Sequence, residues 1–220
     1  MAGKAHGIVG EPTGMDVVYA HKGGVQIEVV SRGKAAHSST REGLNANLAM
    51  IPFLQEVKAI YEETERDSQW WDDEFNPPTI CLNIGVNDHT YAINITAPQS
   101  ICTVFFRPMP RTDSETLIAR LRAAADQFDV ELRVNAINPS FRRDPKGEFA
   151  TTCAKLSTTV APRTVAYGSE AGDLSDIKQL IVLGPGDIAQ AHKSDEWISL
   201  QQLTLGGNTY RQILEKFCCQ

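Results

Sequence analysis

Between Tyr19 and Ile137 the apolar residues change period in a fixed order, and that order restricts the folds open to the chain. In VVYAHKGGVQIEVVSRG, Val25, Ile27 and Val29 alternate with Gln26 and Glu28, the period-two pattern of a half-buried strand. Leu44, Leu48, Ile51, Leu54, Val57 and Tyr61 then recur at three- and four-residue steps, which predicts a helix with one buried stripe. Pro52 inside it predicts a kink or a late start. TICLNIGV and SICTVFFRP read as two further strands joined by NDHTYAINITAPQ. DSETLIARLRAAADQF opens on an Asp113 or Ser114 cap and carries Leu117, Leu121 and Ala124 at helical spacing. DVELRVNAI closes the set, with Val130, Leu132 and Val134 facing one way. Strand, helix, strand, strand, helix, strand is the split βαβ, or ferredoxin-like, order: one sheet carrying two helices.

The rest of the chain has a different rhythm. ERDSQWWDDEFNPP reads as a loop anchored by Trp70 and Trp71, and NPSFRRDPKGE as a linker. A helix over Phe149–Leu156, a strand near Thr164–Tyr167 and a glycine-rich turn, GSEAGD, come next. A buried strand, QLIVLGPGD, leads to a C-terminal helix carrying Leu203, Tyr210, Ile213, Leu214 and Phe217. Alternating strands and helices predict part of a parallel α/β sheet. Two strands are too few to bury both faces of one. The expected fold class is therefore α/β with an α+β insert: residues 1–18 and 139–220 from an α/β domain, and 19–138 as the ferredoxin-like insert.

Composition narrows the function classes. With 42% hydrophobic and 22% charged residues the chain is neither disordered nor fibrous. A formal charge of −6, with Arg107, Arg111, Arg120 and Arg122 scattered among acids, argues against a nucleic-acid partner. No apolar run is long enough to span a membrane, and nothing behind Lys4 reads as a secretory leader. Cys81, Cys102, Cys153, Cys218 and Cys219 are odd in number and form no CxxC pair, so a reducing, cytoplasmic setting is expected.

Three segments could carry chemistry. Glu11, in GEPTG, follows the short apolar stretch GIVG, and the carboxyl ends of strands are where open α/β sheets place ligands. A turn acid before a proline is the plainer reading. His192, in AHKSDEWISL, could be a metal ligand or a base, oriented by Asp195 or Glu196, or simply a surface histidine. His37, in GKAAHSST, sits among small residues that leave its ring accessible, as any exposed turn also would.

In order along the chain, GEPT, HKGGVQIEVVSRGKAAHSS, GLNAN, LNIGV…AINITA, FFRPMP, GSEAGD and LGPGDIAQAHKSDEWISL together resemble the dinuclear zinc amidohydrolases and peptidases. That family includes acetylornithine deacetylase, succinyl-diaminopimelate desuccinylase, aminoacylase and glutamate carboxypeptidase. GSEAG followed by LGPGDIAQAHKSDE is most similar to the acetylornithine deacetylase branch. The resemblance runs from about Gly7 to Tyr210. It implies a catalytic α/β domain interrupted by a ferredoxin-like lid through which two copies dimerise. It also implies two zinc ions, with cobalt an alternative, and a metal-bound water attacking an N-acyl amino acid or a small peptide.

By the same resemblance Glu11 is a ligand of one ion and His192 of the other. His37 is the lid histidine that reaches, usually from a partner subunit, toward the scissile carbonyl, where an N–H donor stabilises the developing oxyanion. Asn94 and Arg107 hold the substrate carboxylate, a planar guanidinium suiting a bidentate clamp. Gly168, Ser169 and Gly172 form the backbone wall of the pocket. In the family an HxD histidine, a bridging aspartate and a Glu-Glu pair precede the GEP segment; the ten residues before Glu11 hold His6 and no acid. The expectation is a chain without the first half of its catalytic domain and inactive alone. A non-catalytic dimerisation or interaction module, and one half of a two-chain enzyme, are the alternatives.

Overall fold

The computed structural model describes residues 5–90, 92–157 and 159–219; Lys4, used above in excluding a leader, lies outside them. In chain order the first elements are β1 (His6–Val9), β2 (Val18–His21), β3 (Gly24–Arg32) and α1 (Ala46–Arg66). Next come β4 (Asn83–Asn87), β5 (Gln99–Phe106), α2 (Ser114–Gln127) and β6 (Glu131–Asn138). The remainder is β7 (Phe141–Arg142), α3 (Glu148–Leu156), β8 (Arg163–Val165), β9 (Gln179–Val182) and α4 (Leu200–Cys218). The chain forms two units, Met1–Gly23 with Asn138–Gln220, and Gly24–Ile137.

The inserted unit is a four-stranded sheet in the order β4-β5-β3-β6, with α1 contacting β3, β5 and α2. Strand alternation decides its buried face. Val25, Ile27 and Val29 of β3 and Cys102, Val104 and Phe106 of β5 are all buried, while Gln26 and Thr103 between them are exposed. Asn45 caps α1 by accepting from Asn47 N, and Asp113 caps α2 by accepting from Thr116 N. Arg120 of α2 ties the two helices together, bonding Glu56 at 2.6 Å and also Glu63 of α1.

The stripe expected on α1 is not the buried one. Ala46, Met50, Phe53, Val57, Ile60 and Thr64 face the core, and of the predicted residues only Val57 is among them. Leu48 is 67% exposed and Ile51 48%. Two apolar stripes run side by side on this helix, and spacing alone cannot say which one meets the sheet. Pro52 lies within α1, which starts at Ala46 rather than late. The carbonyl that loses its donor belongs to solvent-facing Leu48.

The other unit differs from the sequence reading in three ways. The segment from Tyr19 is two strands, β2 and β3, and β2 belongs here: Ala20 pairs with Arg142 and Thr164, and Val18 with Val182. The unit boundary accordingly falls at Gly23/Gly24, five residues beyond the expected junction. Phe141 and Arg142, read as linker, form β7. The tail supplies three strands, β7, β8 and β9, where about two were expected, and with β1 and β2 they make a five-stranded sheet in the order β1-β9-β2-β7 with β8 also on β2.

Both faces of that sheet are packed. Met15, Val17, Ile181 and Leu183 meet Phe149 and Cys153 of α3 and Ile213 of α4. Val18, Leu180 and Val182 meet Phe141, Val165 and Ala171 on the other side. Burial pushes the thiols of Cys102 and Cys153 up to about 11 and about 12, so both behave as core residues rather than nucleophiles.

Candidate functional site

Glu11 and His192, far apart in the chain, are brought together by parallel pairing. β1 runs alongside β9 with Val9 opposite Val182, so both strands release their following segments at the same edge of the sheet. Glu11 lies two residues beyond β1; His192 follows β9 after the LGPGDIAQ turn. Burial raises the Glu11 carboxyl above its ordinary range and the charge of Glu170 raises it further, whereas the charge of His192 lowers it.

Thr13 and Gly184 hold these two turns against each other. The buried Thr13 hydroxyl donates to Gly184 O at 3.2 Å and accepts from Gly184 N at 3.1 Å. Thr13 N and Met15 N donate to that same carbonyl. A Cβ on Gly184 would lie 2.3 Å from Glu11 O, so only glycine permits the approach. Asp187 caps the short turn Ile188–Gln190, accepting from Ala189 N. His192 is exposed, in the left-handed region at φ 64, with its N–H bonded to Glu196 Oε2 at 3.3 Å. Beside these turns is a recess of about 380 Å³ lined in part by Thr13, Arg163, Trp197 and Gln202.

The GSEAGD turn packs closely on the same unit. Ser169 Oγ accepts from Ala171 N, capping Glu170–Gly172. A Cβ on Gly172 would lie 2.2 Å from Pro139 O, and one on Gly168 3.1 Å from Lys22 O, so packing restricts both positions. Two residues escaped the sequence reading. Glu170 acts electrostatically on Glu11, and so does Glu11 on Tyr167, whose buried hydroxyl has no hydrogen-bond partner among the described residues. Their signal was present, since AYGSE places both beside the quoted glycines, but nothing in the spacing ties that turn to Glu11.

In the inserted unit the structure joins His37 to Asn94. Ser38 N donates to Asn94 O at 2.8 Å, and His37 bridges Ile95. Thr96 stitches the two segments, its hydroxyl accepting from Ala36 N and donating to Lys34 O. His37 and Asn94 are both exposed. Arg107 stands elsewhere, with its guanidinium 5.0 Å from the Phe105 ring centroid. Antiparallel pairing sets Arg32, near His37, opposite Gln99, and Val25 opposite Phe106. At roughly 3.4 Å per residue, β5 separates Arg107 from the His37 turn by about 24 Å.

The comparisons with known proteins agree with this architecture. A family model described as a peptidase dimerisation domain matches residues 19–133, more than half of the chain. The chain belongs to the peptidase dimerisation domain family. An acetylornithine deacetylase of Myxococcus xanthus is 29% identical over 97% of this chain, which covers 58% of that protein. A probable succinyl-diaminopimelate desuccinylase of Staphylococcus aureus is 24% identical over 94% of this chain and 60% of its own length. Among solved structures, an aminopeptidase from Bacillus cereus superposes with a TM-score of 0.71 at 17% identity, over 96% of this chain and 57% of that one. The chain thus spans a little over half the length of the relatives it matches.

The dimerisation domain holds His37, Asn94 and Arg107, and the other unit holds the proposed metal donors. A carboxylate and an imidazole suit zinc in kind but not in number. Among the described residues no group of three or more His, Cys, Asp or Glu is gathered where it could hold an ion. Zinc ordinarily takes about three or four protein ligands. Nor, among those residues, is any helix long and apolar enough to cross a membrane.

Proposed function

We propose that this chain supplies the lid and part of the catalytic α/β unit of a metal-dependent amidohydrolase, which removes the acyl group from an N-acyl amino acid or cleaves a small peptide. The observation that carries the reading is the coupling of Glu11 to His192 beyond the carboxyl ends of two parallel strands. An oxygen donor and a nitrogen donor thereby sit where open α/β sheets hold their ligands. Glu11 serves one ion and His192 the other. His37 offers an N–H to the carbonyl oxygen as negative charge develops there. Asn94 and Arg107 bind the substrate carboxylate, and Gly168, Ser169 and Gly172 wall the pocket.

One lid cannot bring His37 and Arg107 to one small substrate across about 24 Å. The reading therefore requires two copies, each lending His37 and Asn94 to the other's site. The surface suited to that pairing is the open edge of β4 with the outer stripe of α1. Val86 is 57% exposed there and lines one shallow recess with Ile51, Leu48 is exposed on the same helix, and an unpaired strand edge invites a second strand.

With one donor per ion and no assigned base, the 220-residue chain by itself holds no zinc pair and hydrolyses no amide. Joining it to the segment of the Myxococcus xanthus relative that it does not match tests the function. The fusion is expected to hydrolyse N-acetyl amino acids or dipeptides, and Glu11→Ala or His192→Ala to lower that rate at least 100-fold. A folded, zinc-loaded fusion without turnover would overturn the proposal.

A further inference from the structure

The imidazole of His37 stands in a turn whose hydrogen bonds fix more than its position. Ser39 N donates to His37 Nδ1 at 3.3 Å, and Ser39 Oγ lies 2.7 Å from that same nitrogen. A backbone N–H can only donate, so Nδ1 is an acceptor, and the Ser39 hydroxyl must donate to it as well. A neutral imidazole carries a single N–H, which is left on Nε2. The turn itself is secured from both sides: Thr40 N and Thr40 Oγ donate to His37 O at 2.9 and 3.0 Å, and Ser38 N bonds Asn94 O.

We infer that Ser39 is a positioning residue that holds His37 in the Nε2–H tautomer, with its one ring donor directed away from the turn. The inference rests on the reading of His37 as the donor to a substrate carbonyl, and gives that reading its chemical requirement. A ring with its proton on Nδ1 would spend it on Ser39 and present a lone pair where an oxyanion needs an N–H. The Ser39 backbone N–H, which can only donate, makes that arrangement unfavourable before any substrate arrives. His37 is exposed, and its chain neighbours Ala35, Ala36, Ser38 and Ser39 are all small.

The test is side-chain ¹⁵N NMR on the whole 220-residue chain, at a pH where imidazole is neutral, comparing wild type with Ser39→Pro and Ser39→Ala. The wild type is expected to show His37 protonated on Nε2. Ser39→Pro, which removes the backbone N–H, is expected to lower the Nε2–H to Nδ1–H ratio roughly fivefold, the worth of one modest hydrogen bond. Ser39→Ala, which keeps that N–H and removes a hydroxyl able to bond either tautomer, is expected to retain the wild-type preference. A wild type protonated on Nδ1, or a ratio unmoved by Ser39→Pro in a chain whose backbone spectrum is otherwise unchanged, would overturn the inference. Because the readout needs no turnover, its failure is separable from failure of the amidohydrolase reading, which the fusion assay reports.

Discussion

Thr13 and Gly184 are the residues on which the candidate site depends most directly. The Thr13 hydroxyl both donates to and accepts from Gly184, and both groups are buried. Thr13→Val keeps the shape but strands the buried Gly184 N–H, while Gly184 O keeps its bonds from Thr13 N and Met15 N, so it is expected to cost about 2 kcal/mol in urea unfolding. Gly184→Ala forces a methyl against the Glu11 carbonyl and is expected to cost about 3 kcal/mol or to prevent folding of that unit. An alanine there with wild-type stability would mean that the two turns are not held as described. Neither residue was singled out in the sequence, although both lie in quoted motifs. Their importance comes from a contact across most of the chain length, and a motif read locally carries no record of what it touches. Glu11 and His192 were legible as residue types; their juxtaposition was not, because it arises from the parallel pairing of β1 with β9.

Among the elements, α1 shows how periodicity can be right about a helix and wrong about its face. Leu44, Leu48, Ile51 and Tyr61 have helical spacing yet remain exposed, while Ala46, Met50, Phe53 and Ile60 fill the core. The larger aliphatics suit a surface that a second copy covers. Ile51→Asp with Val86→Asp is therefore expected to yield a folded monomer, read by analytical ultracentrifugation against a wild-type dimer. A dimer that survives both charges would move the interface elsewhere. The inner side of α1 is tied to α2 through Arg120, whose hydrogen bond holds the Glu63 carboxyl below its ordinary range. A lowered carboxylate stabilises above its unfolded value and loses that contribution as pH falls through and below it. Glu63→Gln is thus expected to cost about 0.5 kcal/mol at pH 7, allowing for solvent screening, and its deficit to shrink as pH falls through the lowered carboxyl range. A deficit in urea unfolding that persists unchanged through that range would assign the loss to packing rather than charge. The strand-helix order of the inserted unit was legible because alternation and helical spacing are strong in β3, β5 and α2. Short β2 and β7 were missed because two to four residues are too few to show a period.

At the scale of the whole molecule, the chain has two units with separate cores and an uneven share of chemistry. The inserted unit presents His37 with Asn94 at one end of its sheet and Arg107 at the other. The second unit brings Glu11 and His192 to one edge of its sheet, and among its described residues no group of three or more His, Cys, Asp or Glu is gathered where it could hold an ion. Recognition of the family came from motifs that keep their order over nearly the full length, which composition and periodicity alone would not have reached. The measurement that bears most directly on the central claim is zinc stoichiometry of the purified 220-residue chain after gel filtration, taken with hydrolysis of N-acetyl amino acids on the same sample. The expected result is less than one retained ion per chain and no turnover. Two retained zinc ions with turnover from this chain alone would contradict it.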